Sequence, residues 1–103
     1  MAEPQRLLLV EGPDDQHTLL ALLQRHGFPN TFELLAPDGF EAVRTTLEAR
    51  LKAGNQTHLG VVVDADEHLD RRWQSLRDVL AAYGYVPPAA PDPDGTVLPA
   101  PTP

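Results

Sequence analysis

The sequence predicts an α/β domain with a parallel sheet of three to four strands, helices on both faces and the element order βαβαβα. Three observations lead there. The short, unbroken apolar runs RLLLV and GVVV are what strands covered on both faces require. Between and after them, apolar residues recur at three- and four-residue spacing, the period of a helix with one buried side. Glycine or proline stands near the changes of period, where the chain must turn.

The first strand lies in Arg6 to Gly12 and ends at Glu11. A helix then opens at Gly12-Pro13. Proline suits a first helical position, where its missing N–H would have had no partner, and Asp14 and Asp15 face the positive end of the helix dipole. Leu19, Leu20, Leu22 and Leu23 form the apolar stripe, and Gly27 ends the helix. Phe32 to Leu35 is a brief second strand. Asp38-Gly39-Phe40-Glu41 reads as a capping box, with Asp38 as N-cap and Glu41 three residues on. The second helix buries Phe40, Val43, Leu47 and Leu51 and closes at Gly54. Leu59 to Val63 is the third strand, and the last helix carries Trp73, Leu76, Val79, Leu80 and Tyr83 before stopping at Gly84. Right-handed crossovers place the C-terminal ends of all the strands along one edge.

At 103 residues the chain holds one domain, residues 1–86, followed by a Pro-rich tail, residues 87–103. Seven of the eleven prolines fall in that tail, which is expected to be extended or disordered, its GTVL run able to begin a further strand if something pairs with it. Without cysteine there are no disulfides, thiolate zinc sites or thiol nucleophiles. The N-terminus lacks a signal-peptide pattern, and no apolar run is long enough to span a bilayer. A soluble, cytoplasmic protein with no membrane partner is expected.

The net charge of −7 argues against nucleic acid at first sight, but its distribution matters more. Glu11, Asp14, Asp15, Asp64, Asp66, Glu67 and Asp70 fall in two short patches, and Asp92 and Asp94 lie in the tail. The remaining six acids face eight Lys and Arg residues. Acid concentrated on a near-neutral body suits cation binding. Such crowding is costly, since two carboxylates about 4 Å apart repel by roughly 4 kcal/mol at an effective dielectric near 20. If the first and third strands are neighbours, Glu11, Asp64 and Asp66 converge at the edge where open α/β sheets bind ligands. In extended chain Asp64 and Asp66 point the same way. Three hard oxygen donors describe a Mg²⁺ or Mn²⁺ site better than a Zn²⁺ site, and a divalent ion would turn repulsion into shared attraction.

LLLVEGPDD at the first strand and VVVDADE at the third together resemble the Toprim domain, a Rossmann-like fold found in topoisomerases, bacterial primases and OLD-family nucleases. The resemblance covers roughly residues 5–86 and is nearest to small stand-alone Toprim-like proteins related to the OLD group. It implies that Glu11 matches the family glutamate, a general acid/base or metal ligand, and that Asp64 and Asp66 match the metal-binding pair. It also implies Mg²⁺ or Mn²⁺ as cofactor and cleavage of DNA or RNA phosphodiesters by a metal-dependent nuclease. The chain departs from the family's pattern in places. After D-x-D it reads E-H-L-D-R-R-W rather than Arg-Glu-Gly, and its one lysine, Lys52, belongs to the second helix. Related proteins also continue with more sheet, so a non-catalytic or truncated Toprim-like module, binding metal or a protein partner, is the alternative.

Other residues carry two readings each. Asp14 and Asp15 are first-turn acids favouring the helix dipole or take a direct metal role, and Asp15 is also a candidate support to the metal ligands. Glu67 and Asp70 are caps of the third helix or that same support. Arg71 and Arg72 grip a phosphate beside the metal or are solvated helix charges. His68, next to the acid cluster, is an ordinary histidine or a ligand or proton carrier, and Trp73, at the head of an apolar stripe, is a core residue rather than a base-stacking platform. A receiver-type phosphoacceptor would need a lysine after a fifth strand. A haloacid-dehalogenase-like phosphatase would carry D-x-D after its first strand. Neither pattern is present.

Overall fold

The computed structural model describes residues 6–27, 32–54, 56–63, 68–99 and 101, apart from the side chain of Asp15. The chain forms two compact units, Met1–Asp64 and Ala65–Pro103.

In the first unit β1 (Arg6–Val10), α1 (Pro13–Arg25), β2 (Glu33–Leu35), α2 (Phe40–Ala53) and β3 (His58–Val62) alternate as expected. The three strands form a parallel sheet in the order β2-β1-β3. On one side Leu7, Leu8 and Leu9 stand opposite Glu33, Leu34 and Leu35. On the other, β1 pairs along its whole length with β3, from Arg6 opposite His58 to Val10 opposite Val62. The first connection leads from β1 to one neighbour and the second returns past β1 to the other. Right-handed crossovers of that pattern put α1 and α2 on opposite faces. Successive residues of a strand point to opposite faces, and Leu9 and Val10 are both fully buried, so both faces are covered at the end of β1.

Among the described residues of this unit, Leu7, Leu9 and Val10 of β1 and Val43 and Leu47 of α2 form the buried core. Each such side chain contributes about 1.5–3 kcal/mol on burial. Polar contacts fix the helices along the sheet. Gln16 of α1 donates its side-chain amide to the Leu34 carbonyl of β2 at 3.3 Å, and Arg50 of α2 meets Glu33 of β2 at 3.3 Å.

Pro13 does take the first helical position of α1. Its apolar stripe is narrower than expected. Leu19 and Leu23 are half-buried, while Leu20 and Leu22 are exposed. At 100° per residue Leu20 and Leu22 flank the line through Gln16, Leu19 and Leu23 on either side, and a three-stranded sheet is too narrow to cover a wide stripe. The capping box does not form. Gly39, not Asp38, is the N-cap of α2, and no side chain bonds there. Glu41 instead meets Arg44 at 3.6 Å. The last strand is an edge strand whose ends, His58 and Val62, are exposed, unlike the fully covered run expected.

The second unit is α3 (Leu69–Ala82) and the chain beyond it. Leu76 and Val79 are buried. The helix ends where the Tyr83 and Tyr85 amides both donate to the Leu80 carbonyl at 3.1 Å, and Gly84 takes a φ of 94°. Between Tyr85 and Pro99 there is neither helix nor strand, the GTVL run included. This segment is tied down at several points. The Trp73 indole N–H donates to the Pro88 carbonyl at 3.0 Å. A turn forms at Asp92, whose carbonyl accepts from the Gly95 amide at 3.0 Å and whose side chain accepts from the Asp94 amide at 3.0 Å. Trp73, read as a core residue, is only half-buried. Among the described residues no helix is long and apolar enough to cross a membrane.

Candidate functional site

The sheet order makes β1 the strand at which the chain's direction of travel reverses, from β2 on one side to β3 on the other. In open α/β sheets, ligands bind beyond the C-terminal ends of the two strands flanking such a point. Here those strands are β1 and β3, in register to their last residues, Val10 and Val62. Glu11 follows Val10 directly and is half-buried. Gly12 then stays extended, with φ −155° and ψ 174°, and caps α1 without a side-chain bond.

A third segment joins this edge. The Gly39 amide donates to the Glu11 carbonyl at 2.9 Å, fixing the start of α2 against the end of β1. Gly39 has φ 94° and ψ 163°, a region that only glycine enters readily. The backbone of Glu11 is thus held from both sides, by the β1 ladder before it and by the α2 cap.

Of the expected metal ligands, Glu11 is therefore placed at the predicted edge. Asp64 and Asp66 lie outside the described residues, as does Glu67. Among the described residues no group of three or more His, Asp or Glu is placed to hold a metal ion. Asp14 occupies the second position of α1, exposed, with its carbonyl accepting from the Thr18 hydroxyl at 3.0 Å.

The residues expected around a phosphate stand in the second unit. Asp70 is in the first turn of α3 and is exposed, and it is not the cap, since His68 holds that position without a side-chain bond. Arg71 reaches back to His68 Nδ1 at 2.7 Å, which engages its guanidinium within its own helical turn. Arg72 is half-buried and also engaged. The Trp73–Pro88 hydrogen bond is the feature that pattern reading missed. An apolar stripe shows which face of a helix is covered, but not that the indole N–H at its head finds a carbonyl in the tail.

No curated protein and no solved structure is significantly similar to the chain. A family match does exist, and it runs over residues 5–102, through all three strands and helices and on into the Pro-rich segment. By that match the chain belongs to the family described as "Protein of unknown function (DUF3226)".

Proposed function

We propose that the C-terminal edge of β1 and β3 binds Mg²⁺ or Mn²⁺ through Glu11, Asp64 and Asp66, in a Toprim-like domain that cleaves nucleic-acid phosphodiesters. One observation carries this reading: Val10 and Val62 are paired neighbours in parallel strands. Adjacent strands stand about 4.8 Å apart. Asp64 is two residues beyond Val62, and two residues of chain extend about 7 Å at most. Glu11 follows Val10 at this edge, and on the proposed reading Asp64, two residues beyond Val62, supplies its carboxylate from the neighbouring strand.

The donor set suits the ion, since carboxylate oxygens without histidine or thiolate favour Mg²⁺ or Mn²⁺ over Zn²⁺. Such an ion, when bound, supplies charge neutralisation at a phosphoryl group and lowers the pKa of a coordinated water. Glu11, held by its backbone between β1 and Gly39, would take the proton of an attacking water or return one to a leaving oxygen. DNA or RNA is then the substrate.

A second reading, a non-catalytic module that binds metal or a protein partner, is favoured by the position of Lys52. This is the chain's one lysine, and it lies in the last turn of α2. Gly39, at the other end of α2, donates its amide to the Glu11 carbonyl. Fourteen helical residues separate the two ends by about 20 Å, so Lys52 cannot serve this edge.

The test has two stages. Mg²⁺ or Mn²⁺ at about a hundred times its dissociation constant should stabilise the protein by roughly 2.7 kcal/mol. Asp64→Asn/Asp66→Asn should abolish the shift, and an undiminished shift would remove the metal site. Nicking of supercoiled DNA, or cleavage of a single-stranded RNA, should require the ion and be lost in Glu11→Gln. Metal binding with no cleavage of either substrate leaves the non-catalytic module.

A further inference from the structure

Trp73 and the tail carry an inference independent of the sheet edge. α3 positions a half-buried indole whose N–H donates to the carbonyl of Pro88 at 3.0 Å. The chain reaching that carbonyl is proline-rich, with Pro87, Pro88 and Pro91 in five residues. Over residues 85–88 it also alternates in exposure. Tyr85 and Pro87 are half-buried, whereas Val86 and Pro88 are exposed. Alternation with period two marks an extended segment lying with one side against a surface. A second fastening lies further on, where Pro101 packs so closely on Gly84 that a Cβ there would come within 3.2 Å of it.

The chemistry is that of proline-rich peptide recognition. Proline fixes φ and holds the preceding residue extended, so little conformational entropy remains to be lost on docking. With no N–H at the prolines, such a segment presents its carbonyls as its polar groups, and an indole N–H is a donor that needs an acceptor when its ring is covered. An aromatic ring with an N–H at its edge meets both requirements.

We propose that the Trp73 face of α3 is a recognition surface for extended proline-rich segments, occupied in cis by residues 85–88 of the same chain. The tail is then a releasable strap rather than a permanent part of the unit. A proline-rich segment supplied in trans competes with it for Trp73.

Trp73 is the chain's one tryptophan, so its indole N–H gives a single assignable NMR signal. The experiment compares the full chain with a full-length Pro87→Gly/Pro88→Gly/Pro91→Gly variant, which keeps every backbone carbonyl but frees the backbone. A peptide of residues 85–98 is the probe, with a glycine-for-proline version as control. The indole N–H should exchange with solvent about tenfold faster or more in the variant. The proline peptide should restore its protection saturably, and roughly ten times more peptide should be needed to act on the wild-type chain, whose own strap competes at high effective concentration. Equal exchange in the two chains would overturn the proposal. So would a loosened variant that ignores the peptide, or one that responds equally to the glycine control.

Discussion

The Gly39 amide lies 2.9 Å from the Glu11 carbonyl, joining residues that the chain separates by a helix and a strand. This hydrogen bond makes the first residue after β1 and the cap of α2 one local structure, and it depends on a backbone conformation at Gly39 that other residues rarely adopt.

Gly39→Ala should therefore destabilise the protein by about 1–3 kcal/mol. The cause is backbone strain alone, since a Cβ at Gly39 would meet nothing within 4 Å. Gly12→Ala is the control. It too has open space, but its φ of −155° is ordinary extended backbone, so its cost should stay below about 0.5 kcal/mol. Urea unfolding of the two variants measures the contrast, and equal costs would show that the Gly39 conformation is unimportant.

The same hydrogen bond shows why part of the structure was legible in the sequence and part was not. RLLLV, GVVV and the Gly12-Pro13 helix start depend on local pattern, and the strands and α1 appear close to where that pattern puts them. Gly27, Gly54 and Gly84, read as helix stops, all have positive φ at or just past helix ends. The Asp38 capping box failed because a distant carbonyl, that of Glu11, decides the conformation of Gly39. Leu20 and Leu22 failed because sheet width, which no helix period encodes, limits how much of α1 is covered. At the candidate site, Glu11 was legible as a strand end, whereas the pairing of β1 with β3 stood only as a condition until the sheet order supplied it, and Asp64 and Asp66 lie outside the described residues.

The pairing of Leu8 with Gly60 offers a sharper test of sheet packing. A Cβ on Gly60 would come within 2.9 Å of Leu8 Cδ1. The leucine tip can rotate away, so Gly60→Ala should cost below about 1 kcal/mol, while the branched Gly60→Val should cost about 1–3 kcal/mol. In a double-mutant cycle with Leu8→Ala, the penalty of Gly60→Ala should shrink or vanish. Strict additivity would show that the two side chains do not compete for this space.

Exposure along α1 separates its leucines from the β1 core. Leu9→Ala, at a position with no solvent exposure, should cost about 2–5 kcal/mol through the cavity it leaves. Leu22→Gln, at a position 46% exposed, should change stability by no more than about 0.5 kcal/mol. A large loss for Leu22→Gln would mean that this face of α1 is covered in solution.

The metal reading makes a prediction about stability that changes sign with the ion. If the proposed site is right, then without metal Asp64 and Asp66 would add to the negative charge near Glu11 and their repulsion would oppose folding, although solvent screening would hold each pair to about 1 kcal/mol or less. Asp64→Asn/Asp66→Asn should then be as stable as wild type in EDTA, or more so by about that amount. With saturating Mg²⁺ or Mn²⁺ the order should invert, because only the wild type gains the binding energy, roughly 2.7 kcal/mol at a hundred times the dissociation constant. Thermal unfolding of both proteins with EDTA and with metal supplies the four measurements needed. A structural role for the aspartates, such as capping α3, predicts instead that the variant is less stable under both conditions by the same amount. A variant that is less stable even in EDTA and gains as much from the ion as wild type would assign these residues to the fold and not to a metal.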